Sequence, residues 1–362
     1  MFENNKELIS SKNKTQIDEF RKLLASKVET RISNKTGIIT TRGIPGKRVW
    51  IEDFKFDKSV DASTFEVTTN EWIDKTARLI SDSETLEDLV ILSHFPSWLP
   101  GQPKGDSDSL LVNINSGKTL RVPCVHVVGS SCFGKDRNIV YTTSAIPNEG
   151  VMGLVKIDLR TGENTRIGGP EVQSGISMFP KVSPDGKRIA VLRLDPTAGP
   201  LKSQLYIVDV ESESTTPLGK PLDTAFVTWL PDSHGLVLVS REYETLSSRT
   251  VSTVVCRIDL NGTLNEIIEG EFPAALSDGR ILYREHDSKL WHTCDLKGEN
   301  TRKVGDGLKG FAWSAVSPNR KRALMMKFGK LSGPRPYVVD LATGKAKELP
   351  VSGYGLWAQP VW

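Results

Sequence analysis

The feature that most constrains this chain is an internal repeat. A strand-like run ends in a carboxylate or amide, a short turn follows, and a second strand-like run begins. The pattern reads "LLVNINSGKTLRV" from 110, "LVKIDLRTGENTRIGG" from 154, "LYIVDVESESTTPLG" from 205, "VVCRIDLNGTLNEII" from 254, "LWHTCDLKGENTRKV" from 290 and "YVVDLATGKAKEL" from 337. The matching residues are Asn113, Asp158, Asp209, Asp259, Asp295 and Asp340, spaced by 45, 51, 50, 36 and 45 residues. A short polar side chain at that place caps a turn by accepting backbone N–H groups. One carboxylate per unit is too sparse to share a calcium ion, which needs several oxygens within about 2.5 Å.

A second element precedes most of these hairpins: an alternating run, a tight polar turn, and then a very apolar run. It reads "MFPKVSPDGKRIAVLRL" from 178, "FVTWLPDSHGLVLVS" from 226, "PAALSDGRILYRE" from 273 and "WSAVSPNRKRALMMK" from 313, with a degenerate copy, "SSCFGKDRNIVYTT", from 130. In Pro-Asp-Gly, Pro fixes φ, Asp caps the turn and Gly accepts a positive φ. Each unit is therefore strand A, turn, strand B, loop, strand C, turn, strand D. The repeat length is that of a four-stranded propeller blade.

These residues resemble the TolB-like family of six-bladed β-propellers, whose repeat centres on a stretch like Pro180 to Leu192. The resemblance covers about residues 86–362. Trp229 holds the motif's tryptophan position, while Val182 and Val316 replace it elsewhere. The motif is a structural turn and contains no chemistry. The resemblance implies partner recognition by the propeller, as TolB-like proteins perform in envelope assemblies.

Five complete units lie at about 127–170, 175–220, 223–270, 272–306 and 308–351. A sixth has strands B, C and D near 87–124 and lacks a strand A; the last segment, Tyr354 to Trp362, supplies it. The expected fold is all-β, a six-bladed β-propeller over 86–362 closed by pairing of the C-terminal strand with the first blade. Residues 1–85 are expected to form a small α+β appendage and linker. Apolar positions at helical spacing predict a helix over 16–33, "KTGIITTRG" and "KRVWIEDFKF" read as strands around "GIPG", and a second helix is predicted over 70–81. The stretch "KRVWIEDFKFDKSVDASTFEV" resembles the final strands of LolA-like lipoprotein-handling β-domains, which would make the chain the tail of something longer.

Composition removes several function classes. No run of about 18 apolar residues is present, so no transmembrane segment is expected. The start, "MFENNKELISSKNKTQ", lacks an apolar leader, which suggests a cytoplasmic protein, or a periplasmic one if the true start lies upstream. Residues 1–58 hold 13 Lys and Arg against 8 Asp and Glu, but scattered, and the whole chain is only +3, so nucleic acid is not an expected partner. Cys124, Cys132, Cys256 and Cys294 form no CxxC pair and read as buried reduced thiols.

Motifs with catalytic connotations fail on context. "GDGLKG" at 305–310 matches GxGxxG, but a strand follows where a dinucleotide site needs a helix. "SGKT" at 116–119 lacks the first P-loop glycine and reads as a hairpin turn. No GxSxG occurs, which argues against an attached serine peptidase. His94, His126, His234, His286 and His292 form no HExxH or HxH, so no metal, cofactor or catalytic residue is assigned.

The binding candidates come from one face. Five B-to-C loops read as long: "PSWLPGQPKGDSDS", "SAIPNEGVMG", "DPTAGPLKSQ", "EYETLSSRTVST" and "FGKLSGPRP"; only "EHDSK" is short. Binding residues concentrate on such loops. Strand B ends in His94, Arg193, Arg241, Arg284 or Lys327 in five units, a cationic ring at that mouth; Trp98, Tyr243 and Arg335 complete the contact set. Local pairing of these cations with Glu242, Glu285 or Asp195 is the alternative use for them. The expectation is a non-enzymatic protein- or peptide-binding scaffold; the alternatives are a lyase or hydrolase acting on an acidic saccharide in the channel, or a sensory domain of a longer chain.

Overall fold

The computed structural model describes residues 29–32, 39–42, 48–49, 88–95, 108–121, 131–136, 138–146, 151–159, 164–195, 202–224, 226–243, 250–317, 319–329, 333–351 and 356–357. Near the amino terminus β1 (Glu29–Ile32), β2 (Ile39–Arg42) and β3 (Arg48–Val49) form an antiparallel sheet in that order. β2 and β3 fall where strands are expected around "GIPG", with Ile39 opposite Val49. The helix expected over 16–33 is corrected at its end: residues 29–32 are a strand, with Glu29 opposite Arg42 and Ile32 opposite Ile39. The β-branched Thr30 and Ile32 favour extended backbone once a partner strand is in reach. Residues 16–28, the helix expected over 70–81, and all but Arg48 and Val49 of the LolA-like stretch lie outside the described residues.

The remaining chain folds as a β-propeller. Its first strands are β4 (Leu89–Phe95), β5 (Asp108–Asn113) and β6 (Thr119–Arg121). One antiparallel sheet follows from β7 (Cys132–Phe133), β8 (Ile139–Ile146), β9 (Val151–Asp158) and β10 (Asn164–Arg166), and a four-residue helix α1 (Pro170–Gln173) leads out of it. The next is β11 (Ser177–Val182), β12 (Arg188–Leu194), β13 (Ser203–Asp209) and β14 (Thr215–Leu222). Then come β15 (Val227–Trp229), β16 (Gly235–Tyr243), β17 (Thr250–Asp259) and β18 (Leu264–Glu269). After them stand β19 (Glu271–Ala275), β20 (Ile281–Arg284), β21 (Trp291–Cys294) and β22 (Arg302–Lys303). The last continuous sheet is β23 (Phe311–Val316), β24 (Arg322–Gly329), β25 (Gly333–Asp340) and β26 (Ala346–Glu348). Five blades are thus built from continuous chain. One further four-stranded sheet draws on both ends, in the order β27 (Leu356–Trp357), β4, β5, β6, with Leu356 opposite Phe95 and Trp357 opposite His94.

The apolar B strands are explained by burial on both faces, because alternate side chains enter different neighbours. In β12, Ile189 and Val191 pack with Cys132, Tyr141 and Leu154, whereas Ala190 and Leu192 pack with Val227, Trp229 and Leu238. β16 continues the alternation, with Leu236 and Leu238 on one side and Val237 on the other beside Ile281 and Tyr283. β20 and β24 share Leu282, Ala323 and Met325. In the composite sheet, Leu89, Ile91 and Leu111 join Phe133, Val140 and Val155, and Val90, Leu92 and Val112 join Leu324, Met326 and Leu349. Each hydrophobic cluster is shared by two adjacent sheets.

The repeated turns are held as the sequence implies. Asp185 Oδ1 accepts the Lys187 N–H at 3.0 Å while Ser183 Oγ accepts that of Arg188 at 2.9 Å. Asn319 and Ser317 repeat both bonds onto Lys321 and Arg322. At the C-to-D turn, Oδ1 of Asn113, Asp209, Asp295 and Asp340 accepts backbone N–H groups at 2.7 to 3.1 Å. Asp259 departs from the pattern: its Oδ1 takes Arg257 Nε at 2.7 Å. "GDGLKG" becomes a single 3-10 turn over Asp306–Leu308 leading into β23, and "SGKT" is a hairpin with Gly117 at φ 70°.

Candidate functional site

Three successive blades place a cation and a phenylalanine on each other at the end of strand B. Antiparallel pairing sets the start of strand A opposite that end: Glu271 faces Arg284 and Phe311 faces Lys327. Arg241 Cζ lies 5.4 Å from the Phe226 ring centre, Arg284 Cζ 4.6 Å from that of Phe272, and Lys327 Nζ 5.3 Å from that of Phe311. All three fall within the range in which a ring face attracts a cation. Between blades, Phe226 and Phe272 meet edge to face at 4.8 Å, and Arg284 Nη1 donates to the Phe311 carbonyl at 3.1 Å. Phe311 in turn meets Tyr337 edge to face at 5.1 Å. The result is one belt of cations and rings across three blades.

Glu271 is the hub of this belt. It pairs with Arg284 Nη2, its Oε1 lies 2.8 Å from His286 Nδ1, and Lys289 Nζ is 3.8 Å away. The Glu271 and Arg284 side chains are 15% and 13% exposed, so this pair is built into the protein. Burial alone would raise the Glu271 carboxyl, but the Arg284 hydrogen bond and charge, with His286 and Lys289, outweigh it and hold the group below its usual range. Arg335 instead pairs with Glu348 at 2.8 Å on the surface, where Tyr337 Oη also donates at 2.8 Å. The Tyr337 bond and then the Arg335 bond hold Glu348 low. Burial pushes the Asp223 carboxyl up, and the Arg241 and Lys202 charges only partly offset it.

The sequence candidates divide accordingly. Arg241, Arg284 and Lys327 come together with the Phe rings. Arg335 lies opposite Lys327 on the paired strand and bonds Glu348. His94 and Tyr243 occupy the ends of β4 and β16, opposite Asp108 and Thr250. Arg193 ends β12 opposite Gln204 and joins neither the Phe belt nor any ion pair among the described residues. Trp98 lies outside the described residues. For Arg284 the expected local partner is replaced: Glu271, across the hairpin, takes Arg284, and Glu285 takes Ser288; the side chain of Glu242 lies outside the described residues.

Two of the loops expected to be long are corrected. β8 and β9 pair out to Ile146 and Val151, leaving 147–150, and β24 and β25 pair out to Gly329 and Gly333, leaving 330–332. The hairpin ladders run on through Gly and Pro positions that read as loop. The other long loops, 96–107, 196–201 and 244–249, lie outside the described residues.

Sequence reasoning missed the phenylalanines and Glu271. A signal was present, since Phe179, Phe226 and Phe272 each stand six residues before the turn residues Asp185, Asp232 and Asp278. Elsewhere, Cys132, Cys256 and Cys294 are buried free thiols, with burial pushing Cys132 up to about 12 and the other two to about 11. His234 is exposed near Asp232 in an A-to-B turn, at the other end of the blade. No group of three or more His, Cys, Asp and Glu that would hold a metal ion occurs among the described residues. Among those residues no helix is long and apolar enough to cross a membrane.

The architecture defines the class: an all-β propeller similar to TolB-like propellers. TolB from Acinetobacter baumannii is 17% identical, with a TM-score of 0.58 over 84% of this chain and 74% of that one. A chain of the nidogen/laminin complex is 10% identical, with a TM-score of 0.53 over 75% of this chain and 97% of that one. A chain of Kuenenia stuttgartiensis hydrazine synthase is 9% identical, with a TM-score of 0.57 over 80% of this chain and 48% of that one. No family model and no curated protein matches the sequence. Likeness at these identities carries the fold and not an activity.

Proposed function

We propose that the chain is a non-enzymatic protein- or peptide-binding propeller, with the composite sheet as the sixth blade, and that it takes an acidic partner on the face where the B strands end. The observation that carries this reading is the belt of Arg241, Arg284 and Lys327 held on Phe226, Phe272 and Phe311. Arg and aromatic side chains dominate binding energy at protein interfaces. Fixing them in advance lowers the ordering cost of association. Trp98, on an adjoining B-to-C connection, and Tyr243, the last residue of β16, would extend the contact. That TolB and a chain of the nidogen/laminin complex share this fold agrees with a protein partner.

The exposed members of the face offer the clean test. Arg284 is committed to Glu271, so its charge reversal would damage the fold. Lys327 and Arg335 are exposed, and a surface ion pair such as Arg335 with Glu348 contributes under ~1 kcal/mol. Lys327→Glu with Arg335→Glu should weaken capture of a Glu-rich peptide by at least about ten-fold and leave the melting temperature unchanged. Equal capture by the double variant would refute the reading. Running polygalacturonate beside the peptide addresses the enzymatic alternative, which cleavage of that polymer would support.

A further inference from the structure

We propose that the turn joining β20 to β21 makes capture of the acidic partner proton-dependent, with His286 and His292 reversing the charge of this sector between neutral and mildly acidic pH. The inference rests on the binding reading above and names its regulation. The turn is Glu285-His286-Asp287-Ser288-Lys289, the short B-to-C connection, and it follows directly on Arg284 of the belt. Its own backbone closes it: the Glu285 N–H donates to the Leu290 carbonyl at 2.9 Å and the Lys289 N–H to the Glu285 carbonyl at 3.2 Å. Its ionisable groups are therefore held in a fixed relation.

Each histidine stands by a carboxylate. Glu271 is held below its usual range and, being ionised, can only accept, so His286 Nδ1, 2.8 Å away, carries a hydrogen in both of its charge states. The proton gained or lost is then the one on Nε2, on a side chain that is 49% exposed. His292 Nε2 lies 3.9 Å from Glu285 Oε2, and neither of its ring nitrogens makes a hydrogen bond among the described residues. Its ring is 5.9 Å from that of Tyr283, and Lys303 stands opposite it on β22. Protonation would give His292 a charge for Glu285 to meet, beside the Ser288 hydroxyl that Glu285 already accepts. In this sector two cations, Arg284 and Lys289, stand against three carboxylates, Glu271, Glu285 and Asp287. With neutral histidines it carries one net negative charge; protonating one histidine cancels it, and protonating both reverses it. Exposed Glu266 and Glu269 on β18 of the preceding blade add to the negative side. Imidazole is the side chain whose charge ordinarily changes between about pH 5 and 8.

The test uses the full chain and a labelled Glu-rich peptide with an amidated C-terminus, whose carboxylates stay ionised from about pH 8 to about pH 6. Its Gln counterpart gives the baseline. Anisotropy titration should show the Glu peptide binding wild type at least about five-fold more tightly at the lower pH, a gain that high salt removes and the Gln peptide lacks. His286→Gln should lose most of the gain, and His286→Gln with His292→Gln all of it. His286→Lys, with a permanent charge, should bind at the higher pH as tightly as wild type does at the lower. Melting temperatures are measured for every variant, and His286→Lys, which keeps a donor for Glu271, decides the matter if the Gln variants unfold. His94→Gln, elsewhere on this face, should retain the gain whatever its absolute affinity. Equal capture by wild type at both pH values, with loss in Lys327→Glu/Arg335→Glu, would overturn the switch and leave the binding reading intact. A gain that survives the double histidine variant, or that disappears in His94→Gln, would also overturn the switch. No capture of the Glu peptide at either pH would overturn both.

Discussion

At the scale of single residues, Glu271 decides which cations of the face are structural and which are available. Removing Arg284 would leave Glu271, 15% exposed, with His286 and Lys289 as its cationic neighbours among the described residues. Stranding a largely buried carboxylate costs about 3 kcal/mol. Arg284→Ala should therefore lower stability by about that amount in urea denaturation, and Glu271→Gln in the same chain should recover part of it, a coupling that a double-mutant cycle reads directly. The same pair sets a pH dependence. Because the folded protein holds Glu271 below its unfolded value, its contribution is present above about pH 4.3 and is lost as pH falls through the folded value. The melting-temperature gap between wild type and Glu271→Gln should be widest near neutrality and close on acidification. A gap that widened in acid would contradict the assigned direction.

At the scale of elements, the turns were legible because their chemistry is local. Ser183 to Arg188 closes on itself, and so does Ser317 to Arg322, so the residues that identify the turn also make its bonds. The B strands were legible because burial on both faces requires continuous apolar runs such as Leu89 to Leu92. What depended on a distant partner was not. The ladder through Gly329 and Gly333 and the strand at Glu29–Ile32 are set by pairing, which the residues alone do not encode. The belt suffered in the same way: Arg284 finds Glu271 across a hairpin, not Glu285 beside it. Contacts between blades can be isolated with two glycines. Gly279 and Gly298 have φ of 80° and 78°, but a Cβ at Gly279 meets nothing, whereas one at Gly298 would stand 2.2 Å from the Ile267 carbonyl oxygen in the preceding blade. Gly279→Ala should cost about 1 kcal/mol from backbone strain alone, and Gly298→Ala clearly more. Equal losses in thermal denaturation would mean that the two blades separate there without penalty.

At the scale of the whole molecule, the composite sheet determines whether the blades behave as an array or a ring. β4 has β5 on one edge and β27 on the other, and its side chains alternate between the clusters containing Val140 and Val155 and those containing Leu324 and Met326. Without β27 the inner edge of β4 would present unpaired backbone groups next to two hydrophobic clusters, and exposed edges of that kind recruit other chains. Pairing the ends removes the edge and ties the first repeat to the last. Deleting residues 354–362 should therefore lower the melting temperature of the whole propeller, or drive aggregation, and should do so for blades far from the ends. Hydrogen exchange resolves the point, since the amides of β12 and β16 should lose protection along with those of β4. Joining the 354–362 segment through a short linker ahead of residue 87 in the deleted chain should restore both protection and melting temperature, because β27 and β4 are antiparallel neighbours, as A and B are in the other blades. Loss confined to β4, with β12 and β16 still protected, would show that the blades are held by their pairwise clusters and that the ends are only a seam.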